Sequence, residues 1–310
     1  MPEWRIERGI GETRYVRIER GKIVEARIWL DGTVQAGAIL KAQLKRTGIP
    51  AVALADGIEY LLPKGAPDLT EGATLSIEIM REAIPGAEPW KRPLARFAVP
   101  GAITAAGLSG DEIAFPAPDD VLEAAGWSDL LDEARSGIID FPGGALRVSP
   151  TPAMTLIDVD GTLPAPQLAL AGARAAARAI VRHGIGGSIG IDLPTVRGKA
   201  ERQAIGEAID AVLPPPFERT SVNGFGFVQI VRARRYPSLF ELAADRAAFE
   251  ARALLRRASR LTGAVTLTAH PAVIAAIAPA WINALSRQVG GTVGLQADPT
   301  RAISGGDVQN

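Results

Sequence analysis

Cysteine is absent from this 310-residue chain, and histidine occurs only twice, as His183 and His270. A chain without cysteine forms no disulfide, no thiolate metal site and no cysteine nucleophile. Two isolated histidines also disfavour a histidine-bound zinc site and a Ser-His-Asp triad. Carboxylates therefore remain as the candidates for catalysis or metal binding, and zinc is not expected as a cofactor.

Net charge and long apolar runs are lacking as well. The 34 basic residues balance the 34 acidic ones, so any surface that binds nucleic acid has to be local. The sequence has no apolar run of about 18 residues, the length that a membrane helix needs, and no signal-like start. We therefore expect a cytoplasmic protein with no membrane partner.

The sequence is organised around an apolar run that ends in two acids, Asp158 and Asp160, followed by Gly161. This order is typical of the carboxyl end of a strand in an α/β protein, the edge where ligands bind. Residues two apart on a strand point to one face, so both carboxylates can face one site. Two hard oxygen donors favour Mg²⁺ or Mn²⁺ over zinc. An Asp-Gly turn that merely closes a strand is the alternative interpretation.

A second apolar run, residues 186–191, also ends in an acid, Asp192. Between the two runs lies the alanine-rich segment 167–183, whose spacing of apolar residues predicts a helix. Strand, helix and strand form a βαβ unit, whose two strands are parallel in one sheet. Asp158 and Asp192 would then lie at the same edge of the sheet, close enough to bind one cation.

One known family resembles a short part of this region. Residues 158–163, Asp-Val-Asp-Gly-Thr-Leu, match the first motif of haloacid-dehalogenase-type phosphatases. The resemblance implies that Asp158 is a nucleophile and Asp160 a general acid or base. Such enzymes also need a downstream lysine and a late acidic pair at a further strand end. The only late acids here, Asp298 and Asp307, do not fit that pattern.

More of the chain resembles the catalytic core of the ribonuclease E/G family. The similarity covers residues 156–161, 186–192 and 223–241, in the order and spacing of that family. The third segment contains Phe-Gly-Phe-Val-Gln-Ile-Val-Arg-Ala-Arg and then Pro-Ser-Leu-Phe-Glu. Residues 138–148 resemble the Gly-Gly hairpin that precedes the first acidic strand of the family. We prefer this resemblance because it extends over several motifs, whereas the phosphatase motif stands alone.

The ribonuclease resemblance implies an α/β (α+β) fold. It consists of an inserted small OB-fold β-barrel, an RNase H-like and DNase I-like catalytic core with a mixed sheet, and a small C-terminal α/β domain. The expected divisions are RNase H-like strands in 1–34, an OB-fold RNA-binding domain in 35–99, a reduced linker or sensor remnant in 100–136, a DNase I-like core in 137–260, and a βαβ domain with a tail in 261–310. Residues 138–148 are expected to complete the N-terminal sheet.

The same resemblance implies a metal-dependent endoribonuclease that cleaves single-stranded RNA to 5′-phosphate and 3′-hydroxyl ends. Asp158 and Asp192 take the positions of the family's two metal-binding acids. Asp160 takes the position of an asparagine, which adds a negative charge. The implied catalytic and metal-binding residues are therefore Asp158, Asp160 and Asp192, with Mg²⁺ or Mn²⁺ as the cofactor.

RNA contacts are implied on the core and on the barrel. Phe225 would lie against a base, and Arg232 and Arg234 would hold the backbone, since arginine binds phosphate bidentately. Residues 35–97 contain five short strand-like runs with turns between them, which suit a small barrel. Such domains bind single strands through aromatic and basic side chains. The candidates on the barrel are Tyr60, Lys91 and Arg92.

Residues 100–136 are the largest departure from the family. Large relatives carry a whole domain there that grips the 5′-monophosphate of the RNA. Here a short acidic stretch remains, which would repel a phosphate, so cleavage without 5′-end sensing is expected. The zinc link that joins subunits of large relatives needs cysteine and cannot form. The resemblance still allows a homodimer through the C-terminal domain.

Three local expectations and two other functions complete the sequence-based interpretation. The arginines of residues 246–260 are expected to lie on a solvated helix face, residues 271–289 to form one helix, and residues 300–310 to be a disordered tail. A phosphatase that uses Asp158 and a non-catalytic RNA-binding protein remain open. The retained acids disfavour the second, because closely packed carboxylates repel one another.

Overall fold

The computed structural model describes residues 3–85, 91–98 and 107–310. Residues 86–90 and 99 of the expected OB-fold domain and residues 100–106 of the expected remnant lie outside the described residues. The chain divides into two compact units. The first unit contains Met1–Asp31, Ser109–Arg135 and Leu242–Asn310, and the second contains Gly32–Leu108 and Ser136–Glu241. The fold is mixed α/β, and the described residues form three open sheets and a closed barrel.

The elements are numbered in chain order. The strands are β1 (Trp4–Arg8), β2 (Glu12–Glu19), β3 (Lys22–Leu30), β4 (Ile39–Arg46), β5 (Ala51–Ala55), β6 (Ile58–Leu62), β7 (Thr74–Arg81), β8 (Leu94–Ala98), β9 (Gly110–Ile113), β10 (Ile138–Phe141), β11 (Gly144–Pro150), β12 (Thr155–Gly161), β13 (Gly187–Asp192), β14 (Phe217–Arg219), β15 (Phe227–Arg232), β16 (Val265–Ala269), β17 (Val293–Ala297) and β18 (Asp307–Gln309). The helices are α1 (Val121–Ala124), α2 (Trp127–Ser136), α3 (Ala165–Arg182), α4 (Lys199–Asp210), α5 (Leu239–Ala244), α6 (Arg246–Ala258), α7 (Pro271–Ala275) and α8 (Pro279–Val289).

A six-stranded sheet dominates the second unit, with the order β10-β11-β12-β13-β15-β14. Strands β12 and β13 are parallel and are joined through α3, as the sequence predicts, whereas the other neighbours are antiparallel. Apolar side chains from one face of the sheet pack against α3 and α4. Helix α3 approaches the sheet closely at Gly172, where an added Cβ would lie 2.3 Å from Val159 Cγ1. Only glycine fits at that point.

The five predicted strands of the barrel are confirmed. Strands β4 to β8 close in the order β4-β5-β6-β8-β7. The interior is filled by fully buried branched side chains, such as Leu44, Leu62, Ile77 and Ile79. Side chains filling the interior are the normal core of a small barrel.

The predicted completion of the N-terminal sheet by residues 138–148 is wrong. Those residues form β10 and β11, which join the six-stranded sheet because Leu146 lies opposite Val159 and both are buried beneath the helices. The N-terminal sheet has the order β3-β2-β1-β9 instead. Its fourth strand, β9, runs parallel to β1.

Between the N-terminal sheet and α6 lies an ionic cluster of Glu7, Glu12, Arg14, Arg252 and Arg256, each less than a tenth exposed. Arg14 donates from Nη1 to Glu7 and from Nε to Glu12, both at 2.7 Å. Arg252 Nε lies 3.2 Å from Glu12 Oε2, and Arg256 Nε lies 2.9 Å from Glu7 Oε1. The predicted solvated helix face is therefore wrong for Arg252 and Arg256, because carboxylates of β1 and β2 neutralise them.

Asp120, one of the acids expected to repel a phosphate, extends this cluster. Its Oδ1 accepts a hydrogen bond from Arg256 Nη2 at 2.6 Å, and Arg260 Nε lies 3.3 Å from its Oδ2. Burial raises the pKa of Asp120, but hydrogen bonds from Arg256 and from the Glu123 amide outweigh it and hold the pKa below its usual value. Arg256 and Arg260 thus neutralise the negative charge of Asp120 within the fold.

The C-terminal region forms a three-stranded sheet, β17-β16-β18. Strands β16 and β17 are parallel, as predicted. The predicted single helix is divided into α7 and α8, and Pro279 begins the second helix. The expected disordered tail is wrong, because β18 pairs antiparallel with β16. His270 caps α7 by accepting the Ala272 amide at Nδ1, at 3.1 Å. In the described ranges, none of the helices has the length and apolarity needed to cross a bilayer.

Candidate active site

The two acids that end the predicted strands lie side by side in the six-stranded sheet. The register of the parallel pair β12 and β13 places Asp158 opposite Asp192. The preceding residues, Ile157 and Ile191, are buried against the helices. Because side chains alternate along a strand, both carboxylates point to the other face of the sheet. We call this face the open face, since Leu156, Asp158 and Asp192 are exposed on it.

Asp160 and Arg147 lie on the same open face. Asp160 is two residues beyond Asp158 on β12, and Arg147 of β11 is opposite Asp158 in the antiparallel register. Arg147 Nε lies 3.7 Å from Asp160 Oδ2, and their side chains are 62% and 69% exposed. This distance is too long for a hydrogen bond. Arg147 and Asp160 therefore form a loose ion pair at the edge of the acids.

The acids are close enough to influence one another. Partial burial, together with the negative charges of Asp160 and Asp192, raises the pKa of Asp158. The Val159 amide and the charge of Arg147 act in the opposite direction. Repulsion of this kind is relieved when a cation binds between the carboxylates.

Asp158 and Asp192 could hold a magnesium or manganese ion. In residues 3–85, 91–98 and 107–310, no three acidic or histidine side chains are arranged as a ready-made metal-binding group. Mg²⁺, however, usually takes one or two carboxylates and completes its coordination with water and substrate phosphate. Two exposed carboxylates on adjacent strands fit that mode of binding. Asp160 is turned toward Arg147 and is the least suited of the three acids.

Phe225 is held at the same end of the sheet as the acids. Asp192 lies opposite Phe227 on β15, and Phe225 lies in the turn just before that residue, with 83% of its surface exposed. Asn223 Oδ1 accepts the amides of Phe225 and Phe227 at 2.9 and 3.0 Å. Gly226 completes the turn at φ +95°, a conformation that favours glycine. A large aromatic ring is thus presented to solvent by a well-bonded turn.

Arg232 and Arg234 lie far from the acids. Arg232 is opposite Gly187, at the start of β13, and Asp192 is at its end. The intervening strand spans about 17 Å at roughly 3.4 Å per residue. Arg232 also has the same parity as Ile230, which is buried on the helix side. Arg234 forms an ion pair with Glu241, whose other oxygen accepts the Ser238 amide at 2.8 Å. The Pro-Ser-Leu-Phe-Glu motif therefore anchors Arg234 within the fold.

The barrel residues expected to contact RNA have mixed placements. Tyr60 is 2% exposed and belongs to the barrel core, where burial raises the pKa of its hydroxyl. A buried ring cannot stack on a base, so the expectation for Tyr60 is corrected. Arg92 pairs with Glu59 at 3.1 Å and remains 38% exposed. Lys91 Nζ donates to the Pro152 carbonyl at 2.8 Å.

Arg147 is the residue of this site that the sequence-based reasoning missed. It lies between Leu146 and Val148, both buried under the helices. An arginine that alternates with two apolar residues, in the hairpin before an acidic strand, is the pattern that could have identified it.

Comparison of the chain with models of known protein families gives no match, and comparison with curated proteins gives none either.

Proposed function

We propose that the chain is a metal-dependent endoribonuclease of the ribonuclease E/G type, which cleaves single-stranded RNA to 5′-phosphate and 3′-hydroxyl ends. The observation that carries the proposal is the pairing of Asp158 with Asp192 across adjacent parallel strands. The motifs around both acids and around Phe225 occur in the order of that family. The closed barrel supports the proposal, since the strand order β4-β5-β6-β8-β7 is the one expected for an OB-fold RNA-binding domain.

Each part of the site has a role in this proposal. Asp158 and Asp192 hold the cation, and Phe225 stacks on a base. A bound Mg²⁺ or Mn²⁺ supplies a water of lowered pKa and neutralises charge on the phosphate. Leu156 and Val231, which are 38% and 53% exposed on the open face, provide apolar surface for neighbouring bases. Aromatic side chains such as Phe225 bind single strands by base stacking with little sequence preference.

Incubation of the full chain with a labelled single-stranded RNA and Mg²⁺ tests the proposal. We expect internal cleavage that stops when the cation is chelated, with products that carry 5′-phosphate and 3′-hydroxyl ends. RNA that is bound but left uncut under these conditions would support a non-catalytic RNA-binding protein instead.

A phosphatase of the haloacid-dehalogenase type has less support. Its late acidic pair would have to come from Asp298 and Asp307, which belong to the first unit and not to the six-stranded sheet. Asp298 accepts hydrogen bonds from the amide and the hydroxyl of Thr300, at 3.0 and 2.6 Å. It therefore serves a local turn.

Replacing Arg232 with alanine is expected to leave RNA binding unchanged, because Arg232 has the parity of the buried Ile230 and lies far from the acids. Loss of one contact to a single-strand phosphate would instead reduce the log–log salt slope of binding by about 0.7. Anisotropy of a labelled RNA, measured over a range of salt concentrations without divalent cations, gives this slope. Arg234→Ala should also keep the slope, but it should lower stability because it removes the ion pair with Glu241. A slope reduced by about 0.7 in Arg232→Ala would show that Arg232 contacts RNA, as the family resemblance implies.

The rate of cleavage is expected to be independent of the 5′ end of the RNA. Residues 107–136 contain a single basic residue, Arg135, which donates to Glu250 at 2.6 Å and to Asp132 at 2.5 Å. This segment therefore offers no uncommitted cation to a 5′-monophosphate. Rates for RNAs with 5′-monophosphate, hydroxyl and triphosphate should agree within about twofold, which is under about half a kcal/mol. A tenfold preference for the monophosphate would contradict this expectation.

A further inference from the structure

We infer that Arg147 is the side chain that binds the substrate phosphate at the acid pair, and that Asp160 is the residue that positions it. The inference rests on the proposed ribonuclease function and changes the role of Asp160 from metal ligand to partner of an arginine.

The register of β11 and β12 brings Arg147 to the acids. Arg147 lies directly opposite Asp158, and Ala145 lies opposite Asp160. Directly opposed residues on one face of an antiparallel pair are about 5 Å apart, and diagonal neighbours are within reach of a long side chain. The arginine leans along this diagonal, which explains why its closest carboxylate is that of Asp160, at 3.7 Å.

No other basic residue of the six strands shares the open face, and all six lie within the described residues. The strands contain only Arg147, Arg219 and Arg232 as basic residues. Arg219 lies opposite Ile230 on the helix side. Its Nε donates a hydrogen bond to Asp210 Oδ1 of α4 at 2.7 Å. Arg232 has the parity of Ile230. A phosphate that reaches the acids from the open face therefore meets Arg147 as its only strand-borne cation.

The charges of the site require such a cation. A divalent ion balances Asp158 and Asp192, which leaves the carboxylate of Asp160 to repel an incoming phosphodiester. Arg147 balances this third charge. Because the pair is well exposed and longer than a hydrogen bond, its dissociation costs little. Guanidinium has five N–H donors in a planar fork, so Arg147 can bind phosphate oxygens while Asp160 limits its orientation.

Direct metal binding separates the two roles of Asp160. Mn²⁺ affinity of the full chain is measured by electron paramagnetic resonance for wild type, Asp160→Asn, Arg147→Met and Asp192→Asn. We expect Asp160→Asn and Arg147→Met to remain within about threefold of wild type, since an interaction between exposed charges contributes only about 0–1 kcal/mol. Asp192→Asn should lose at least about tenfold in affinity, because it removes an oxygen ligand. An equal loss in Asp160→Asn would make Asp160 a metal ligand and overturn the inference.

Cleavage kinetics at saturating Mg²⁺ test the phosphate contact. Arg147→Met should lower kcat by about a hundredfold, the usual effect of removing one donor to developing charge. Arg147→Lys should recover part of that loss, because it restores the charge without the planar fork. The double variant Arg147→Met with Asp160→Asn should cleave no more slowly than Arg147→Met alone, since Asp160 acts through the arginine.

Failure of this inference and failure of the proposed function give different results. Wild-type metal binding and cleavage, combined with an unchanged kcat in Arg147→Met, would overturn only the role of Arg147. A wild-type chain that neither binds Mn²⁺ at the acids nor cleaves RNA would remove the proposed function and the inference with it.

Discussion

Asp192→Asn is expected to abolish cleavage of single-stranded RNA while leaving the fold intact. The side chain lies at the exposed end of β13, opposite Asp158, so asparagine removes a negative charge without opening a cavity. Loss of one of two carboxylates from a metal site removes several kcal/mol of transition-state stabilisation, or roughly a thousandfold in rate. Single-turnover cleavage of a labelled RNA with Mg²⁺ measures this effect. Asp158→Asn should behave in the same way.

Glu218→Gln provides a matched control for this prediction. Glu218 is exposed on the edge strand β14, opposite Val231, and thus shares the open face without adjoining the acids. It should cleave at the wild-type rate. Both aspartate variants should unfold at the same or a higher temperature than wild type without metal, because they remove like-charge repulsion. Full activity in either aspartate variant would refute the catalytic assignment.

Arg256→Leu is expected to lower the free energy of unfolding of the first unit by about 3–5 kcal/mol, the range for removing one partner of a buried ion pair. The Arg256 guanidinium contacts both Glu7 and Asp120, and its side chain is 3% exposed. Leucine would leave the Glu7 carboxylate with Arg14 as its remaining partner. Urea denaturation followed by tryptophan fluorescence reports on this unit, which contains Trp4, Trp29, Trp127 and Trp281.

Arg246→Leu is the corresponding control on the same helix. Arg246 is exposed at the start of α6, and surface substitutions of this kind usually change stability by no more than about 0.5 kcal/mol. Equal midpoints for the two variants would mean that the ionic cluster contributes nothing to stability. Comparable stability of Arg256→Leu and wild type would contradict the prediction directly.

The parts of the fold that the sequence predicted best are those fixed by local patterns. The apolar runs before Asp158 and Asp192 and the alanine-rich segment between them determine a parallel strand pair. The barrel strands are separated by clear turn residues. Both patterns depend on residues that are near one another in the sequence, so alternation and turns were sufficient to identify them.

The ionic cluster could not be predicted in the same way. A buried arginine and a solvated arginine leave the same periodic pattern on a helix, and what distinguishes them is the partner. Arg252 and Arg256 find their partners in Glu12 and Glu7, which are separated from them by 240 and 249 residues. Such pairings follow from tertiary packing and have no local signature.

The candidate site shows the same division. The two acids were identified from predicted strand ends, and Phe225 from a motif that begins in a turn. The structure brings all three to one end of the sheet. Arg232 was assigned from a motif, without regard to which side of β15 it faces. Tyr60 was chosen because it is aromatic, although alternate residues of a closed barrel point inward. Side-chain parity within a sheet therefore separates surface positions from core positions at a site.

The first unit is built from three stretches of chain, Met1–Asp31, Ser109–Arg135 and Leu242–Asn310, and this arrangement has a consequence for folding during synthesis. The strands that carry Glu12 and Glu7 leave the ribosome before α6, whose Arg252 and Arg256 follow 240 and 249 residues later. Contacts between such distant residues form slowly, because a long loop must be closed before they are made. Until α6 has been made, Arg14 is therefore the only arginine of the ionic cluster that can pair with these two carboxylates.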